Sequence, residues 1–185
     1  MDWTSLLLIG IIAVIAIAII LIIVYYINRI TIFSNRIEEA WAQIDVQLKK
    51  RYDLIPNLVE TVKGYSKHER EVFEKVTDAR ERMMSGSRED RVGASNELTG
   101  TLKTLFAIAE NYPQLKASDN FKLLQEQLEG VENKIAYSRQ YYNSSVLNYN
   151  NIITTIPGKY FAGSRQKHVF LETPEVERKP VKVEF

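Results

Sequence analysis

Leu6-Leu7-Leu8-Ile9-Gly10-Ile11-Ile12-Ala13-Val14-Ile15-Ala16-Ile17-Ala18-Ile19-Ile20-Leu21-Ile22-Ile23-Val24-Tyr25-Tyr26-Ile27 is a run of 22 residues without a charge. At about 1.5 Å rise per residue it makes a helix of roughly 33 Å, enough for a hydrocarbon core of about 30 Å. Trp3 before it and Tyr25–Tyr26 at its end suit the two interfacial belts of a bilayer. A cleaved secretory signal fits less well. Met1-Asp2-Trp3 lacks a basic region, the apolar run is too long, and no A-x-A site follows. A buried core helix fits poorly too, because a domain this small cannot cover a helix that is apolar all round. The reading is one transmembrane helix over 6–27, after a short N-terminus of residues 1–5.

The rest of the chain is polar. Of 185 residues, 24 are Lys or Arg and 23 are Asp or Glu; residues 28–185 hold every base and all the acids except Asp2. The mean hydropathy of −0.19 therefore averages two different solvents. A balance this near zero argues against a nucleic-acid binder. The absence of cysteine removes disulfides, thiolate metal sites and thiol nucleophiles. Arg29 and Arg36 follow the apolar run and no base precedes it, so the positive-inside rule expects the N-terminus outside and the domain in the cytoplasm of a single-pass inner-membrane protein.

From Asn28 onward the spacing is helical. Ile30, Phe33, Ile37, Trp41, Ile44, Leu48, Tyr52 and Ile55 recur by threes and fours, and neither Gly nor Pro separates them from the membrane run. The transmembrane helix is expected to continue into them as a stalk. Pro56 lacks an N–H and clashes with the preceding turn, so a break is favoured there, with Asp53 capping the next helix, while the spacing Ile55, Val59, Val62 that continues across it also allows a mere kink. That helix carries Leu58, Val62, Tyr65, Val72, Phe73, Val76 and Met83, and a polar loop follows from Ser85 to Arg91. A third run (Leu98, Leu102, Leu105, Phe106, Ala109) ends before Tyr112-Pro113, and Ser118 caps the longest helix, which reaches Ile153. Short connections favour antiparallel neighbours. The expected fold is all-α: a transmembrane helix running into an up-and-down four-helix bundle over 28–156, then an extended tail over 157–185.

The stretch from Trp41 to Glu60, Trp-Ala-Gln-Ile-Asp-Val-Gln-Leu-Lys-Lys-Arg-Tyr-Asp-Leu-Ile-Pro-Asn-Leu-Val-Glu, closely resembles the signature of the LemA family of bacterial membrane proteins. Glu110-Asn111-Tyr112-Pro113-Gln114-Leu115-Lys116-Ala117, then Ala136 with Arg139 and Tyr142-Asn143, then Tyr149-Asn150 agree with it, as does the single N-terminal span. The resemblance implies a helical bundle behind one anchor with a short extracytoplasmic N-terminus, and it implies no enzyme. One relative acts in building the magnetosome membrane, and members are often found beside a membrane zinc metalloprotease.

No constellation announces chemistry. His68 and His168 are far apart in sequence, and a His-Glu-x-x-His zinc helix at His68-Glu69 would need a second His where Val72 stands. Glu38-Glu39 and the pair Glu69 and Glu71 sit one or two residues apart, so on a helix they do not face one point. Lys49-Lys50-Arg51 lies about 33 Å beyond the membrane run along a helix, several Debye lengths of about 8 Å, and reads as solvated charge. No catalytic residue, cofactor or metal site is expected. Trp41, Tyr52, Asn57, Tyr142, Asn143, Tyr149 and Asn150 read first as packing and second as partner contacts, because Tyr and Asn are common at interfaces. The functional expectation is a non-enzymatic, membrane-anchored scaffold that self-associates and organises or shapes the bilayer. The alternative is an adaptor for another membrane protein such as a metalloprotease. Expected partners are the lipid bilayer, copies of the same chain and possibly that second membrane protein, with no nucleic acid.

Overall fold

The computed structural model describes residues 2–65 and 70–172, and every regular element among them is helical. Helix α1 spans Trp3–Lys63, α2 Arg70–Met83, α3 Arg88–Ala109, α4 Pro113–Ala117 and α5 Asp119–Thr154, followed by a 3₁₀ turn at Gly158–Phe161. The apolar run and the amphipathic run after it are thus one helix of 61 residues. None of its most apolar stretch is covered by protein, and that stretch is long and apolar enough to cross a membrane.

The expected break at Pro56 does not occur. Helix α1 passes through it and ends at Lys63, before the Gly64–Tyr65 turn. Leu58 and Val62, expected on a second helix, therefore belong to α1. The physical reason lies one turn back. Pro56 cannot donate to the carbonyl of Tyr52, and the Nε–H of Arg80 on α2 donates to that oxygen instead, at 3.0 Å. The same guanidinium lies 3.6 Å from the centroid of the Tyr52 ring, a cation–π contact. An acceptor orphaned by proline is thus satisfied from another helix.

The chain divides into two units, Met1–Ala40 with Tyr142–Phe170 and Trp41–Tyr141 with Leu171–Phe185. In the first, Ile30, Phe33, Ile37 and Ala40 of α1 and Tyr142, Val146, Tyr149 and Ile153 of α5 are buried. Each set follows the helical spacing of threes and fours that puts residues on one face.

In the second unit the buried set includes Ile44, Leu48, Ile55, Leu58 and Val62 of α1, Phe73, Val76 and Met83 of α2, Leu98, Leu102 and Leu105 of α3, and Phe121, Leu128, Val131 and Ile135 of α5. Helices α2 and α3 pack together, tied by Arg82–Glu97 at 2.6 Å and by Arg91 Nε donating to the Met83 carbonyl at 3.1 Å. Their connection is shorter than the polar run implied, because Arg88 to Arg91 form the first turn of α3. Gly86 supplies the positive φ of +86° before Ser87, which caps the helix.

Candidate interaction site

Along the second unit, the α1 face from Gln43 to Asn57 and the α5 face from Gln127 to Ser138 leave a furrow. It consists of two adjoining grooves of about 470 and 580 Å³ that share Gly130 and Lys134. Helical spacing explains the lining. Gln43, Val46, Gln47, Lys50, Asp53, Leu54 and Asn57 repeat by threes and fours beside the buried stripe of α1. Gly130 deepens the middle, and a Cβ added there would meet nothing within 4 Å. Val46 is 52 % exposed and Tyr137 70 % exposed on the first groove. Its other walls are Gln43, Gln47, Asn133, Lys134 and Ser138. Such a lining, with Lys50 and Asp53 on the second groove, suits contact by shape, apolar surface and adaptable hydrogen bonds.

Behind this face the second unit holds an ion pair between a buried arginine and a half-buried glutamate. Arg51, expected to be solvated with Lys49 and Lys50, is only 2 % exposed. Its Nη1 lies 2.8 Å from Glu132 and donates to the Ser95 hydroxyl at 2.9 Å and the Ser95 carbonyl at 3.1 Å; Nη2 donates to the Thr99 hydroxyl at 3.0 Å. Thr99 in turn lies 3.0 Å from the second Glu132 oxygen. Burial pushes the Arg51 guanidinium below its ordinary pKa, Glu132 opposes that shift, and the charge of Arg139 adds to it. The sequence does carry a signal for this burial. Arg51 falls on the stripe Ile44, Leu48, Arg51, Ile55, where a solvated side chain has no place.

The remaining predicted contact residues separate. Trp41 is buried, with the guanidinium groups of Arg88 and Arg91 at 5.1 and 5.6 Å from its ring. Tyr52 is half-buried between Arg80 and Lys49, and Asn57 is exposed at the end of the furrow. In the first unit Tyr142 and Tyr149 are buried and Asn143 is half-buried. Asn150 is buried and pairs with main chain: its Nδ2 donates to the His168 carbonyl at 2.9 Å and its Oδ1 accepts the His168 N–H at 3.0 Å. The His168 ring meets Tyr149 edge-on, centroids 4.9 Å apart. His68 and Glu69 lie outside the described residues. Glu71 pairs with Lys75 at 2.7 Å, a helix-surface contact.

Regular structure that is all helical among the described residues, with an apolar stretch of α1 uncovered by protein, is the architecture of a membrane-associated helical protein. The family profile described as "LemA family" matches residues 40–185, and the chain belongs to that family. It is similar to magnetosome protein MamQ of Magnetospirillum gryphiswaldense, 26 % identical over 179 residues, covering 79 % of this chain and 66 % of the relative. Magnetosome proteins MamQ 1 and MamQ 2 of Paramagnetospirillum magneticum are each 24 % identical over 200 residues, covering 92 % of this chain and 73 % of theirs. The chain thus spans slightly less than two thirds of the first of these relatives.

Proposed function

We propose that this protein is a non-enzymatic scaffold that self-associates in the plane of the membrane through the α1–α5 furrow and organises the bilayer around it. The furrow carries the reading. It exposes Val46 and Tyr137 side by side around a glycine-deepened centre, and it lies on the helix that continues from the membrane run. Copies embedded in one membrane share an orientation, which raises their effective concentration without any new contact. The similarity to magnetosome proteins supports a role at a membrane. In this reading α1, α2, α3 and α5 form an antiparallel up-and-down bundle on the cytoplasmic side, with the N-terminus outside. Protease added to intact cells then leaves the domain whole.

The test is Gly130→Trp, whose Cβ enters open space and whose ring is large enough to block the furrow. Full-length protein in nanodiscs large enough for several copies should give assemblies, and the variant should give monomers with unchanged helicity. A wild-type monomer that captures one specific membrane protein would replace the scaffold reading with the adaptor reading.

A further inference from the structure

Residues 155–161 close the end of α5 with a tight loop beside the end of the apolar run. The Phe161 ring stacks on Tyr26, centroids 5.6 Å apart and planes 23° apart. Tyr26 in turn meets Tyr25 edge-on at 5.2 Å. The loop is held by its own main chain: Lys159 N–H donates to the Thr155 carbonyl at 2.8 Å and Tyr160 N–H to the Pro157 carbonyl at 3.1 Å. Gly158 packs so closely on α5 that a Cβ would collide with the carbonyl oxygen of Ile152. The turn therefore has little freedom to fold its side chains away.

It holds two large apolar side chains outward. Ile156 and Tyr160 are each 73 % exposed, and Lys159 stands exposed near them. A lone exposed apolar residue needs no explanation. This pair does, because the Phe161–Tyr26 stack holds the loop that carries it beside Tyr26, at the end of the apolar run where a spanning helix would meet the headgroups. The charge pattern points the same way. From Asn133 to Leu171 there is no Asp or Glu, while Lys159, Arg165 and Lys167 are exposed and join Arg29 and Arg36 on the same unit, whose exposed acids Glu38 and Glu39 stand about 18 Å beyond Tyr26 along α1. Aromatic and aliphatic tips with flanking cations suit an anionic interface, where lysine and arginine snorkel to phosphate.

We propose that loop 155–161 is a second membrane contact, with Ile156 and Tyr160 inserted among the headgroups of the bilayer that α1 spans and Lys159 and Arg165 set against anionic phosphates. The proposal rests on the reading of residues 6–27 as a membrane span. Two points of attachment on different elements fix the tilt of this unit against the bilayer, which a single helix does not.

The chain has no cysteine, so single cysteines can be labelled uniquely. Full-length Tyr160→Cys, Ile17→Cys, Ile27→Cys and Glu39→Cys proteins would each carry an environment-sensitive fluorophore in phosphatidylglycerol-containing nanodiscs. Nitroxide lipids would then be added with the quencher either at the headgroup or deep in the acyl chain. The label at 17 should be quenched by the deep nitroxide. Labels at 160 and 27 should both be blue-shifted and quenched by the headgroup nitroxide. The label at 39 lies about 18 Å further along α1 and should be spared. A label at 160 as wet and unquenched as that at 39, with 17 still quenched, overturns the second contact and leaves the span standing. A wet label at 17 overturns both. Gly158→Ala, which displaces the loop, should lower quenching at 160 and leave that at 17 unchanged; quenching at 160 that persists in that variant counts against a contact made by the folded loop.

Discussion

The Nε–H of Arg80 donates across 3.0 Å to the carbonyl oxygen of Tyr52, the acceptor that Pro56 leaves vacant four residues later in α1. The two side chains are 28 residues apart in sequence, so one helix is completed by a residue of another. The same arginine covers the Tyr52 ring and thereby shields the bond it makes.

Removing either end of this arrangement has opposite effects. Arg80→Ala should destabilise the domain by about 1–3 kcal/mol, because a part-buried carbonyl loses its charged donor. Pro56→Ala should stabilise it by about 1–3 kcal/mol, since the helix regains its own N–H and loses a ring clash. In the Pro56→Ala background the cost of Arg80→Ala should shrink. Urea denaturation of the four proteins measures the coupling, and additive effects would show that Arg80 does not stand in for the missing donor.

The Arg51–Glu132 pair should behave asymmetrically. Glu132→Ala strands a guanidinium that is almost wholly buried and should cost about 3–5 kcal/mol. Arg51→Met combined with Glu132→Leu should cost far less than the single change, because no charge is left to desolvate. Thermal and urea midpoints decide this, and a double variant worse than Glu132→Ala would contradict it.

The start of α3 should be sensitive to acid. The Asp90 carboxylate accepts the Ser87 hydroxyl at 2.7 Å and the Ser87 N–H at 3.0 Å, while Ser87 Oγ accepts the Asp90 N–H at 3.1 Å, a reciprocal cap. The hydroxyl first, and then the backbone N–H, hold the Asp90 carboxyl below its ordinary value of 3.8. A lowered folded value means that the contribution is complete above 3.8 and disappears as pH falls through the folded value. The difference in urea midpoint between the native protein and Asp90→Asn should be constant near neutrality and close in acid. A gap that persists in acid would show that ionisation is not its source.

Gly130→Ala should stabilise the fold by about 1 kcal/mol, since alanine is the better helix former and its methyl group enters open space. A loss of stability would show that the floor of the furrow does not accommodate the methyl group.

The hydrophobic stripes were legible in the sequence because helical spacing is a local property. Ile30, Phe33, Ile37, Ile44, Leu48 and Ile55 are buried as their spacing implied. So was the apolar run, whose length and lack of charge need no partner to be read. The continuity of α1 at Pro56 was not legible, because the replacement donor, Arg80, is distant in sequence. Nor was the burial of Arg51 read from its basic neighbours, though its place on the stripe marked it. The Ser87-x-x-Asp90 cap was present as a pattern but was overshadowed by the polar character of the whole stretch. The furrow depends on what Gly130 leaves empty between two helices, and spacing along one helix does not report that.

The grip of Asn150 on the chain beyond α5 is indifferent to side chains. Its amide offers one donor and one acceptor to the N–H and C=O of a single residue, as a neighbouring strand would, and 19 of the 20 amino acids could occupy position 168 without altering those two bonds. Proline alone is barred, having no N–H to give. These two bonds can therefore survive a change of side chain at 168 that would remove the ring contact with Tyr149, so the path along the helix keeps one anchor that composition does not touch.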